Sequence, residues 1–137
     1  MSANPIRKTE GLLAFLRQYA WQEGAFVQGG WADKPGSTLR WQPSLSAKAV
    51  DVNTWGIAAL GAETIDRWFG FGASHALWQQ VKGWGGYGEG RNLWGVGFSN
   101  LDGNGIDEQG NFRQGVLSAE WSYGAITAVR EMIGHYQ

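Results

Sequence analysis

Residues 83–111, GWGGYGEGRNLWGVGFSNLDGNGIDEQGN, carry the choice of fold class. Apolar side chains here do not recur at intervals of three and four, so helical periodicity stops where the stretch begins. LWGVGF, residues 93–98, reads as extended, and the Asn, Asp and Gly cluster after it reads as loop. Loops of this length in a compact domain are often functional. The G-x-G-x-x-G match over residues 83–88 follows a helical pattern rather than a strand and opens no helix, which argues against a dinucleotide site. Asn100, Asp102 and Asn104 alternate ahead of Gly105 as in a calcium loop, but Asn111 stands where a bidentate Glu belongs. The segment therefore reads as a polar turn without metal.

On both sides of this stretch the pattern is helical. Residues 9–23 form a first expected helix, with Thr9 as N-cap, Leu12, Leu16 and Tyr19 along one face, and Gly24 as the stop. Residues 25–50 are rich in turn formers and read as a long loop with a short extended piece. DVNTWGIAALG is a short helix capped by Asp51 and ended by Gly61. AETIDRWFG is a second, with Ile65, Trp68 and Phe69 inward, and ASHALWQQVK a third. The last helix, residues 119–135, has Leu117, Trp121, Ala125, Ala128 and Met132 at spacings of four, four, three and four. Ile126, Val129 and Ile133 widen that face, predicting substantial burial. NTWGIAAL and AEWSYGAI echo each other faintly, each with a polar pair before Trp and small residues after it. The fold class expected is mainly α, a single domain over 1–137 made of helical hairpins with long Gly- and Trp-rich loops.

Composition narrows the function. At 137 residues the chain is long enough for one core. Eleven Lys and Arg against twelve Asp and Glu leave no field to gather polyanions, so nucleic acid and anionic membrane are poor partners. The N-terminal LLAFL run is short and interrupted by Arg17 and Gln18, an amphipathic helix rather than a signal peptide, and no segment approaches the ~20 apolar residues of a membrane span. With no Cys there is no thiolate chemistry or Cys-ligated zinc, and compartment stays open. His75 and His135 stand apart and no G-x-S-x-G elbow occurs, so neither a nucleophilic triad nor a metal or cofactor site is indicated. Nine Trp beside twenty-two Gly are the strongest pointer, because flat rings over Gly-rich backbone make platforms for amphipathic ligands.

Carboxylates and aromatics are thus the chemical equipment. If Ser118 caps the last helix, Glu120 lies in its first turn, where it either complements the helix dipole or, beside Trp121 and near Tyr123, serves a glycan cleft. Asp51 has the same two readings: cap for the helix of Trp55, or second carboxylate of a pair with Glu120. Glu63 and Asp66, three apart beside Arg67, read as a solvated helix face.

DVNTWGIAALG, the Trp-rich middle and SAEWSYGAI resemble helical hairpins of the (α/α)-toroid, six-hairpin glycosidase-like proteins over about residues 51–137. A complete toroid has twelve helices, and this chain accommodates four or five. The resemblance implies a sugar cleft lined by Asp51, Trp55, Glu120 and Trp121; Tyr123, Trp84 and Trp94 are further expected substrate-binding residues. The function expected is a carbohydrate-active domain taking an oligo- or polysaccharide, leaning towards glycoside hydrolysis by Glu120 and Asp51. Beside it stand a non-catalytic glycan-binding module and a protein-interaction or scaffold module, with self-association or a larger assembly left open.

Overall fold

The computed structural model describes residues 5–33 and 40–137. Helix α1 (Pro5–Phe15) passes through a π-helical turn (Leu16–Ala20) into a short hairpin of β1 (Trp21–Gln22) and β2 (Ala25–Phe26). A second antiparallel pair joins β3 (Gly30–Asp33) to β4 (Arg40–Pro43). Three helices follow, α2 (Val50–Leu60), α3 (Ala62–Phe69) and α4 (Ala73–Gly85), then a second hairpin of β5 (Gly86–Glu89) and β6 (Asn92–Val96). A long ordered loop leads to α5 (Ala119–Tyr136).

This overturns the expectation of a mainly α fold of helical hairpins, and with it the likeness to an (α/α) toroid. The described residues hold five α-helices and three two-stranded antiparallel sheets, a mixed α/β architecture. The reason is turn chemistry. Glu23 and Gly24 both have positive φ, 53° and 80°, as a tight two-residue hairpin turn requires, so the chain doubles back after Gln22. Trp21 then stacks on Phe69 with ring centroids 4.0 Å apart, a tertiary contact that a continued helix would forfeit. Gly90 likewise takes φ 54° between the paired residues Glu89 and Asn92, so the piece expected to be extended over 93–98 lies, at 93–96, in β6 and pairs with a strand β5 that was not expected.

Several local expectations shift accordingly. Thr9 lies inside α1 instead of capping it, and Leu12 and Tyr19 are exposed while Leu16 packs on the core. Much of the loop expected over 25–50 is strand, with its segment 34–39 outside the described residues. The helices after Ala49 keep the expected places, with Gly61 at φ 82° and Gly70 at φ 108° closing α2 and α3.

One buried cluster gathers Phe26 of β2, Val50 and Ile57 of α2, Ile65 of α3, Leu77 and Val81 of α4, Val96 of β6, and Ala125, Ala128 and Met132 of α5. The expected core face of α5 is therefore right along Ala125, Ala128 and Met132. Ile126 and Ile133 are exposed, so the face is narrower than the sequence implied. Two buried polar groups tie the elements together. Asn53 on α2 accepts from Phe26 N–H (2.8 Å) and donates to Phe26 and Ala49 carbonyls (3.2 and 2.8 Å), satisfying the backbone of β2. Asp66 on α3 is 6% exposed and accepts from the Gly72 and Ser74 amides, the Tyr136 hydroxyl and His135 Nε2. It is no solvated partner of Glu63: Glu63 pairs instead with Arg67, at 3.7 Å on the surface.

Candidate functional site

The starts of α2 and α5 converge on one segment. Val50 N–H donates to Phe98 O and Ser118 N–H to Val96 O, each at 2.9 Å, while Ala49 pairs with Ser99. Further along, Thr54 and Trp55 meet Gly124, and Leu60 shares a hollow with Arg130 and Gly134. The two helices thus run side by side in the same direction from a common end.

Each begins differently. Ser118 caps α5 as expected, its hydroxyl accepting from Trp121 N–H at 3.3 Å. The N-cap of α2 is Ala49, which has no side chain to offer; Asp51, expected there, stands in the first turn, where its carboxylate accepts from Val52 N–H at 2.8 Å. Asp51 and Glu120 are each the second residue of their helices. The fold therefore sets both carboxylates at the same end of adjacent helices, Asp51 half-buried and Glu120 exposed.

One turn beyond each lies the contact that joins them. Trp55 follows Asp51 by four residues and Gly124 follows Glu120 by four, so each pair shares a helix face. A Cβ placed on Gly124 would sit 3.4 Å from Trp55 Nε1 and 3.3 Å from Thr54 Oγ1, so a larger residue would press the indole off α5. The echo between NTWGIAAL and AEWSYGAI does not mark equivalent places, since Trp55 is the sixth residue of α2 and Trp121 the third of α5.

The remaining aromatics divide by burial. Trp55 is 51% exposed, Trp94 56% and Tyr123 71%. Trp94 and Tyr123 line a 240 Å³ hollow at the start of α5 with Leu117, Ala119, Ser122 and Ile126. Trp121 packs against the core with its ring edge-on to Phe98, centroids 4.4 Å apart, and Trp84 packs against the core from α4. Their rings serve packing, and the Trp84 indole N–H is buried without a partner among the described residues. The structure thus sets Asp51 and Trp55 on one face of α2 and Glu120 in the first turn of the adjacent α5, places Tyr123 and Trp94 in one hollow, and leaves Trp84 apart.

The loop over 97–118 supports this end of the molecule. Buried Asn104 accepts from Gly115 and Val116 N–H, both at 2.9 Å, and donates to Val116 O at 2.6 Å. Asp102 accepts from the amides of Phe98 and Ser99, and Asn100 from Lys48 N–H. The side chains that suggested a calcium loop thus bind the chain's own backbone. Among the described residues no group of three or more His, Asp or Glu is placed to hold a metal ion, and no helix is long and apolar enough to cross a membrane.

Among the described residues, the carboxyl with a shifted pKa lies elsewhere. Burial raises the pKa of Asp66, but hydrogen bonds from Tyr136, Ser74 and Gly72 outweigh it and hold the carboxyl at about 2 against an ordinary 3.8. Burial, together with the bond to Asp66, pushes the Tyr136 hydroxyl upwards. Ser74 Oγ lies 2.7 Å from Tyr136 Oη, not beside the imidazole of His135, so the cluster has the pattern of a structural clamp between the α3–α4 turn and the end of α5. No local sequence signal announces it. The chain matches no protein-family model, no curated protein and no solved structure.

Proposed function

We propose that the protein binds an oligo- or polysaccharide across the shared start of α2 and α5, with Trp55 and Tyr123 as stacking surfaces and Asp51 and Glu120 as acceptors for sugar hydroxyls. The observation that carries this reading is the exposed Trp55 indole, held over Gly124 and flanked along each helix by a first-turn carboxylate. An aromatic ring left in water beside charged acceptors matches the two-sided chemistry of a sugar, whose C–H face is apolar and whose rim is hydroxylated. Glycoside hydrolysis is a second reading, favoured by the matching positions of the two carboxylates on neighbouring helices. A proton-donating carboxyl is commonly sheltered against apolar side chains, whereas Glu120 is exposed, so binding is the better supported of the two.

Calorimetry against a broad panel of soluble oligosaccharides tests it. Trp55→Ala should weaken binding about tenfold, as expected for the loss of one aromatic contact. Glu120→Gln keeps shape and much of the hydrogen bonding; if the chain hydrolyses its ligand, that variant should bind normally with turnover down ~10²–10⁴-fold. A panel that gives the parent protein no heat, or a Trp55→Ala variant that binds like the parent, would sink the carbohydrate reading.

A further inference from the structure

On the other side of α5 from Gly124, a second cavity of 280 Å³ lies between that helix, β6 and Trp78 of α4. Its walls include Trp78, Leu93, Trp94, Ala125, Ile126 and Val129. Two polar side chains border it. Ser122 is fully engaged, its hydroxyl donating to Ser118 O at 2.7 Å and accepting from Val96 N–H at 3.0 Å. Arg130 stands at the rim and is exposed. Among the described residues the ion pairs are Arg67–Glu63 and His135–Asp66, and the Arg130 side chain enters neither of them nor any hydrogen bond.

We infer that this cavity binds a small amphipathic carboxylate, its alkyl or aryl body against Trp78, Trp94 and Val129 and its acid group on the Arg130 guanidinium. The chemistry of the walls selects the guest. A polyhydroxylated molecule would bury hydroxyls against carbon with no free partner, at substantial cost, whereas an apolar body loses nothing. The volume lies just under the ~300–1,000 Å³ of typical small-molecule sites, which suits a short chain or a single ring system. The guanidinium offers a planar fork of donors matched to a carboxylate, and no partner among the described residues competes for it. On its other side Arg130 borders a hollow with Glu63 and Glu131, so the apolar contribution and the charge contribution must be separated by experiment. This inference does not depend on the carbohydrate reading.

Octanoate and octanol, titrated calorimetrically below their aggregation limits, make that separation. The parent should bind octanoate about tenfold or more tighter than octanol, the difference expected for a hydrogen-bonded charge pair. Arg130→Gln should bring octanoate down to the octanol level while leaving octanol unchanged. Ile126→Trp, a substitution at an exposed position that fills the cavity, should abolish both with an unaltered circular dichroism spectrum. Three results would overturn the inference: no heat with octanoate, equal octanoate binding by the parent and Arg130→Gln, or light scattering that finds the parent a dimer and Ile126→Trp a monomer. The last would place a second copy of the chain on this face.

Discussion

Asp66→Ala is expected to lower stability by roughly 3–5 kcal/mol, because it leaves the buried Ser74 amide and three partly buried donors without their acceptor. The carboxylate accepts from Gly72 N–H at 2.9 Å, Ser74 N–H at 2.8 Å, the Tyr136 hydroxyl at 2.7 Å and His135 Nε2 at 3.1 Å. An ionised carboxylate can only accept, so the Nε2 nitrogen carries the hydrogen in this pairing. Two of these donors are the amides that open α4, and the other two lie in the last turn of α5, so one side chain both caps a helix from a distance and fastens the chain's final helix. Denaturant unfolding followed by circular dichroism measures the loss. A change under 1 kcal/mol would mean that water replaces the carboxylate at little cost and that the clamp is not a determinant of stability.

The same group predicts an acid limb. Its folded pKa is depressed, from 3.8 to about 2, so its stabilisation is present above the unfolded value and is lost as pH falls from about 4 towards 2. The difference corresponds to about 2 kcal/mol. Asp66→Ala should flatten that limb of the stability curve relative to the parent; an identical acid limb in the two proteins would assign it to other carboxyls.

Asn53→Leu should cost about 3–4 kcal/mol, the sum expected when one buried amide donor and two carbonyl acceptors of the backbone lose their partner together. Asn53 is completely buried, bonded on both sides of its amide to Phe26 and again to Ala49 O. Leucine has similar bulk, so packing is largely kept and the loss reports the hydrogen bonds. Release of β2 should also loosen Phe26 and its edge-on neighbour Trp21, whose centroids lie 4.9 Å apart. The near-ultraviolet dichroism should therefore weaken before the far-ultraviolet signal does. Parent-like stability with an unchanged near-ultraviolet spectrum would show that the β1–β2 hairpin holds its place without this residue.

Where one local rule suffices, sequence determined structure by itself. Ser118 before an apolar run starts α5, and Gly61 and Gly70, both at positive φ, stop α2 and α3; capping and glycine geometry act within a few residues, so they can be read without knowing the fold. The identity of the candidate site residues Asp51, Trp55 and Glu120 was legible for the same reason, as carboxylates and an aromatic near helix starts. Their arrangement was not. Tertiary structure decided that α2 and α5 share an end, because both starts hydrogen-bond to the segment running from Val96 to Ser99. It also left Tyr123 outside and put Trp121 against Phe98. The strands at 21–22, 25–26, 30–33, 40–43 and 86–89 carry too little side-chain alternation to announce themselves, whereas LWGVGF reads as extended and its residues 93–96 do lie in β6; each strand is fixed by its antiparallel partner. Asp66 illustrates the limit most sharply. Beside Glu63 and Arg67 it reads as surface, yet its partners His135 and Tyr136 lie 69 and 70 residues away. Burial of a charge depends on which donors the fold delivers to it, and that is a property of the folded chain rather than of the residue's neighbours in sequence.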